Sequence, residues 1–275
     1  MKNNLKTVLV LGSNGKTGRR IIQKLIDLKV PVREGSRNAH PKFDWEDDTT
    51  WTDALKNIHS VYVSFYPDLA LPGAVALIKK FTQIAVKNGV QKLVLLSGRG
   101  EEEAQACEEI VMKSGVDWTI VRASWFFQNF SEGNFREPIL VGHVALPSGD
   151  VGEPFIDADD IADVAVAALT QPGHTKKVYE VTGPRLFTFR KAIEEISAAV
   201  GKPIKYEQVS MPTYTNMLNE WQVPKEFTSL LSYLFTEVLD GRNENVTNGV
   251  EQALGRKPTD FSEFVKKTVA SGVWE

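Results

Sequence analysis

The stretch Thr7-Val8-Leu9-Val10-Leu11-Gly12-Ser13-Asn14-Gly15-Lys16-Thr17-Gly18, followed by Ile21, Ile22, Leu25, Ile26 and Leu28 up to Pro31, decides the fold. Residues 7–11 are a β-branched and leucine run suited to a buried strand. After Gly18 the apolar residues recur at the three- and four-residue spacing of one helix face. Pro31 stops that helix, and residues 32–36 return to a strand. Strand, glycine turn, amphipathic helix and second strand make one βαβ unit.

The same punctuation recurs downstream. A helix over residues 71–88 ends at Asn88-Gly89 and precedes a strand at 92–96; another over 101–114 ends at Ser114-Gly115 and precedes a strand at 118–121. Each closes on a glycine, which takes the left-handed conformation a helix end commonly needs. Short strands at 42–45 and 61–65 bring the total to five or six, so an α/β chain with a doubly wound parallel sheet is expected. Beyond residue 125 come a helix at 159–169, a strand at 177–181, a helix at 189–200 and a strand at 204–209. Residues 211–275 are mostly helical, broken at Pro212, Pro224 and Pro258.

With 42% apolar and 24% charged residues in 275, the composition is that of a folded globular protein. Lys plus Arg less Asp plus Glu gives −3, which provides no whole-chain positive field for a polyanion, so a nucleic-acid partner is not expected. A lone Cys107 and four scattered histidines form neither a disulfide nor a metal-ligand spacing; no metal is expected, and a reducing cytoplasm is. Residues 1–6 lead into an apolar run at 8–12 too short for a signal-peptide core, and nothing approaches the ~18–20 apolar residues of a membrane span. Neither export nor a membrane partner is expected.

The turn at residues 12–18 is spaced G-x-x-G-x-x-G. Gly12 permits the sharp turn, Gly15 lets backbone approach a pyrophosphate, and Gly18 lets the helix pack on the strand, while the helix N-terminus attracts an anion. Gly12, Asn14, Gly15, Lys16 and Thr17 are the residues expected against a dinucleotide, with Arg19 and Arg20 as further positive charge. Gly15-Lys16-Thr17 looks like the tail of a Walker A loop, but position 10 is valine where that motif needs glycine. The second strand ends Ser36-Arg37, a hydroxyl and a guanidinium suited to a 2′-phosphate, whereas an NAD-preferring site places an acid there. NADP(H) is the expected cofactor.

Ligands of a doubly wound sheet lie across the C-terminal strand ends. Here Trp45 and Asp44 are expected beside adenine, Ser64 and Phe65 over pyrophosphate and ribose, Ser97 nearby, and Ala123, Trp125 and Phe126 on the nicotinamide side. Trp125, Phe126, Phe127 and Phe130 read equally as core and as pocket wall. No tyrosine is followed four residues later by lysine, so the Tyr-x-x-x-Lys acid of ketone-reducing short-chain dehydrogenases is missing. Tyr66, Glu108 and Tyr214 remain open as proton donors. Hydride delivery to an iminium carbon needs none. The carboxylates at 101–103, and Asp157, Asp159, Asp160 and Asp163, read as acids favoured at helix N-termini.

Beyond these readings, Gly12 to Gly18, Ser36-Arg37, Phe43-Asp44-Trp45-Glu46-Asp47 with Thr50-Trp51, Ser60-Val61-Tyr62, Lys92 to Ser97 and Trp125 to Ser131 resemble the NmrA-like atypical short-chain dehydrogenases, in the branch of the fungal ergot-alkaloid reductases. Residues 154–162, 182–184 and 255–261 continue the likeness. The resemblance implies NADP(H) binding, a two-part fold and reduction of an iminium or activated double bond; the family also lacks the Tyr-x-x-x-Lys pair and includes redox sensors without turnover. The expected organisation is an NADP-binding Rossmann domain over 1–150, with 151–182 returning to the sheet, and a smaller substrate-capping region over 183–275. The leading expectation is a reductase of a small substrate lined by Tyr66, Phe127, Asn129 and Tyr214. The alternative is a non-catalytic NADP(H) sensor with a protein partner.

Overall fold

The computed structural model describes residues 6–275; residues 1–5 of the N-terminal reading lie outside the described residues. The chain runs β1 (Val8–Leu11), α1 (Lys16–Asp27), β2 (Val32–Gly35), α2 (Trp51–Leu55), β3 (Ser60–Val63), α3 (Ala74–Lys87), β4 (Lys92–Gly98), α4 (Glu102–Met112) and β5 (Asp117–Ala123). It continues through α5 (Arg136–Val141), β6 (His143–Leu146), α6 (Ala158–Thr170), β7 (Lys177–Val181), α7 (Phe189–Val200), β8 (Lys205–Gln208), α8 (Met211–Glu220), α9 (Lys225–Tyr233), α10 (Gly249–Leu254) and α11 (Phe261–Ala270). None of the described helices is long and apolar enough to cross a membrane.

Two compact units divide the chain. The first takes residues up to Ala123, Ala158–Val181 and Gly249–Arg256; the second takes Ser124–Asp157, Thr182–Asn248 and Lys257–Glu275. The segment 124–157, expected with the first half of the chain, therefore clusters with the second unit. The cause is its aromatic content: Phe127, Phe130, Phe135 and Phe155 are buried in that unit's core.

The first unit is a six-stranded parallel sheet in the order β2-β1-β3-β4-β5-β7. Strand alternation sorts its side chains. Leu9, Leu11, Val61, Val63, Leu93 and Leu95 join a core with Ile78 and Phe81 of α3 and Cys107 and Val111 of α4. On the other face Tyr62 reaches Thr17 of α1, and α1 packs on α6. Residues 42–45 do not form the expected strand. Side chains take the backbone groups of Asp44, its N–H donating to Thr50 Oγ1 (3.1 Å) and its carbonyl accepting from Trp51 Nε1 (2.6 Å), so none is left for a neighbouring strand. Phe43 and Trp45 instead enter an aromatic cluster with Trp51 and Phe81.

The second unit pairs β6 with β8 in parallel and buries a cluster of phenylalanines, Phe127, Phe130, Phe155, Phe189 and Phe261 among them. Asp260 caps α11, accepting the Ser262 N–H (2.9 Å), and also pairs with Arg185, whose guanidinium reaches Glu195 as well.

In the first unit α1 begins against the β1 turn. A Cβ built on Gly18 would collide with the Gly12 carbonyl. Gly18→Ala should therefore lower stability by about 2 kcal/mol or more, since neither the helix nor the turn can yield cheaply, and a drop in the chemical-denaturation midpoint measures it.

Candidate dinucleotide site

The β1–α1 turn is tight. Gly12 adopts φ +65°, a left-handed conformation that suits glycine, and the Gly15 N–H donates to the Gly12 carbonyl at 2.8 Å. A Cβ on Gly12 would stand 3.2 Å from Ser64 Cβ and Oγ, so the turn lies against the end of β3. This is where strand order reverses, with β2 on one side of β1 and β3 on the other, the crevice in which doubly wound sheets bind nucleotides. Helix α1 starts without a side-chain cap and with no acid in its first turn. Its first amide groups lack intrahelical acceptors and carry the positive dipole end. Asn14 and Gly15 are exposed, and the buried Ser13 hydroxyl has no partner among the described residues. An uncapped, acid-free helix start under exposed glycine backbone fits a diphosphate.

At the end of β2 the Gly35 carbonyl accepts the Ser13 N–H (3.4 Å), and the Ser36 carbonyl accepts the amides of Ala39 and Phe43. Arg37 is exposed beyond that turn. Burial works to raise the Asp44 carboxyl, but Lys42, 3.1 Å away, and more weakly Arg37 hold it below its usual value. Thr17 is buried and its hydroxyl accepts from Tyr62 (2.9 Å). Arg20 pairs with Asp159 of α6 (3.3 Å), as Lys24 does with Asp163 (2.6 Å), tying α1 to α6. Asp160 and Asp163 in turn meet Arg256.

Two of the three candidate acids are committed elsewhere. Glu108 is buried and accepts from the Ser97 hydroxyl (2.6 Å), from Arg122 Nε (2.9 Å) and from Arg122 Nη2 (2.5 Å). Arg122 continues to Glu180, which also receives Arg99 at 2.6 Å. Glu108 is thus a structural carboxylate, and Ser97 has spent its hydroxyl on it. Tyr214 is only 3% exposed, packed on Phe235, and burial pushes its phenol up to about 12. Tyr66, by contrast, is 59% exposed in the loop after β3.

Of the aromatic candidates, Trp45 leaves just 8% of its surface open, its indole N–H donating to the Ser64 carbonyl (3.1 Å) and its ring packed on Phe65. It supports the site's floor more than it offers a face to adenine. Phe127 is fully buried against Phe261 and Phe264, a core residue of the second unit and not a pocket wall. Ala123 is buried at the end of β5. Trp125, Phe126 and Asn129 keep partial exposure in the second unit, Trp125 packing on Phe189 and Phe235.

One buried acid escaped the reading of the acidic run. Glu101, just before α4, is buried, its carboxyl resting over Gly98, with Asp68 of the β3–α3 loop among the acids around it. Burial, and for Glu101 the facing acids, push both carboxyl groups up. The available signal was Gly98, whose missing side chain leaves room for the Glu101 carboxyl.

These features define a dinucleotide-binding α/β protein. The NAD(P)H-binding family pattern matches residues 12–172 and that of the NmrA-like family residues 102–265, and the chain belongs to this NmrA-like, NAD(P)H-binding family. It is 30% identical to festuclavine synthase I of Penicillium roqueforti, over 94% of this chain and 97% of that one, and 30% identical to agroclavine dehydrogenase of Claviceps fusiformis, over 98% of each. Its fold matches Citrobacter triphenylmethane reductase complexed with NADP(H) at a TM-score of 0.80 and 17% identity, over 95% of this chain and 99% of that one.

Because Glu108 holds Arg122 inside the sheet, Glu108→Gln should cost about 3 kcal/mol of stability in a denaturant titration by leaving a guanidinium poorly paired. A stability unchanged by the substitution would contradict the structural role.

Proposed function

We propose that this chain is an NADPH-dependent reductase that delivers hydride to a small imine, iminium or activated double bond. The observation that carries the cofactor choice is Arg37, exposed after β2 with no hydrogen bond or ion pair of its own among the described residues. A guanidinium there meets a 2′-phosphate with paired charge-assisted hydrogen bonds, where an NAD site would set a carboxylate. Gly12, Asn14, Gly15, Lys16 and Thr17 would hold the pyrophosphate, and Ser36 and Arg37 the phosphorylated ribose, with Ser64 and Phe65 beside the glycine turn. When bound, the dihydronicotinamide supplies the hydride. The chain's part is to orient the reactants and exclude water.

The substrate class is supported by the missing Tyr-x-x-x-Lys pair, by the commitment of Glu108 and Tyr214 to structure, and by the alkaloid-forming relatives. Reduction of an iminium gives a neutral amine without a proton donor. A lone buried Cys107 is compatible with work in a reducing cytoplasm.

Arg37→Ala should weaken NADPH binding by about 1–3 kcal/mol while hardly changing NADH, as read by calorimetry; equal losses would refute the assignment. NADPH should be oxidised with members of a panel of imines, quinones and enones. A silent panel beside tight NADPH binding would favour the non-catalytic sensor.

A further inference from the structure

At the carboxyl edge of the first unit's sheet, several groups that could hand a proton to a substrate are spent inside the protein. The Ser97 hydroxyl donates to Glu108 (2.6 Å), Glu108 is held by Arg122, and Arg99 is held by Glu180. Tyr62, within β3, is fully buried and donates to Thr17. Tyr66 is the contrast, with 59% of its surface open. It lies two residues beyond Ser64, the residue that a Cβ on Gly12 would meet at 3.2 Å. Two residues of chain span at most about 7 Å, so Tyr66 stays beside the glycine turn.

The segment that carries Tyr66 is anchored on both sides. Before it, the Ser64 carbonyl accepts the Trp45 indole N–H (3.1 Å), and the Phe65 ring packs on Trp45 at 4.9 Å. After it, the Ala70 N–H donates to Asp68 Oδ1 (2.9 Å), the Leu71 N–H donates to the Asp68 carbonyl (3.3 Å), and Leu69 is buried. A fixed frame therefore presents this side chain at the edge where doubly wound sheets take their ligands, within reach of water that can return a proton to it.

We infer that Tyr66 is a catalytic acid for substrates whose reduction ends on an oxyanion, the class that includes enones. This rests on the reductase reading. The β-carbon of an enone gains a hydride, and with it two electrons, from the bound dihydronicotinamide, which is oxidised; the C=C pair shifts and the carbonyl π pair moves to oxygen as an enolate. The Tyr66 O–H bond breaks, its proton forms the O–H of an enol that tautomerises to the saturated ketone, and the pair left on the phenolate oxygen takes a proton from water. An iminium carbon that gains a hydride needs no such proton, so the phenol separates the two substrate classes.

Kinetics with NADPH test this by comparing 2-cyclohexen-1-one with N-methyl-3,4-dihydroisoquinolinium in the wild type and in Tyr66→Phe, which removes the proton and keeps the ring. The substitution should lower the ratio of enone to iminium kcat about 100-fold. In D2O the wild-type enone rate should fall more than the iminium rate, and that difference should vanish in Tyr66→Phe. A ratio that does not move overturns the inference alone, including the case in which both rates drop together as a packing defect would make them. So does a wild type that reduces only the iminium. A wild type that binds NADPH and reduces neither compound overturns the reductase reading, and the inference with it.

Discussion

Helix α1 has to start directly against the turn that ends β1, with nothing larger than hydrogen between Gly18 and the Gly12 carbonyl. That close approach fixes the geometry of the sheet's binding edge. It brings the positive end of an uncapped helix to the carboxyl edge of the sheet, beside Ser64 at the end of β3, at the point where strand order reverses. It also places Thr17 over Tyr62, whose phenol is pushed up by burial and donates to the threonine hydroxyl. A turn with side chains at these glycines would push the helix off the strand, and the anion-binding geometry with it.

Several charges of the first unit are consumed in packing: Arg20 and Lys24 on the acids of α6, Arg256 on Asp160 and Asp163, Glu108 on Arg122, and Glu180 on Arg122 and Arg99. Partly or wholly buried charges are tolerable there because each meets an opposite one. By contrast Arg37 is exposed at the end of β2, and the Glu101 carboxyl lies buried over Gly98. Burial and the acids around it push the Glu101 carboxyl up.

The second unit is governed by aromatic burial. Phe127, Phe130, Phe155, Phe189 and Phe261 pack edge to face or tilted, and Trp274 anchors the chain's end by donating to the Phe130 carbonyl at 2.9 Å. Tyr214 and Phe127 are drawn into this core and are thereby removed from the chemistry that their positions in the sequence suggested.

The sequence by itself determined the parallel sheet, the helices that close on Gly89 and Gly115, the glycine turn and the basic ending of β2, because these rest on local periodicity and on residues with special backbone freedom. It also carried the family likeness. Tertiary structure alone decided which polar groups remain available. Nothing local shows that Glu108 is clasped by Arg122 of β5, that Arg20 turns to Asp159, or that Asp44 gives its backbone groups to Thr50 and Trp51. Nor does an acidic run at a helix start reveal that its first member folds over Gly98. A side chain's proton and partners are fixed by neighbours distant in sequence, and only the folded chain brings those neighbours within reach.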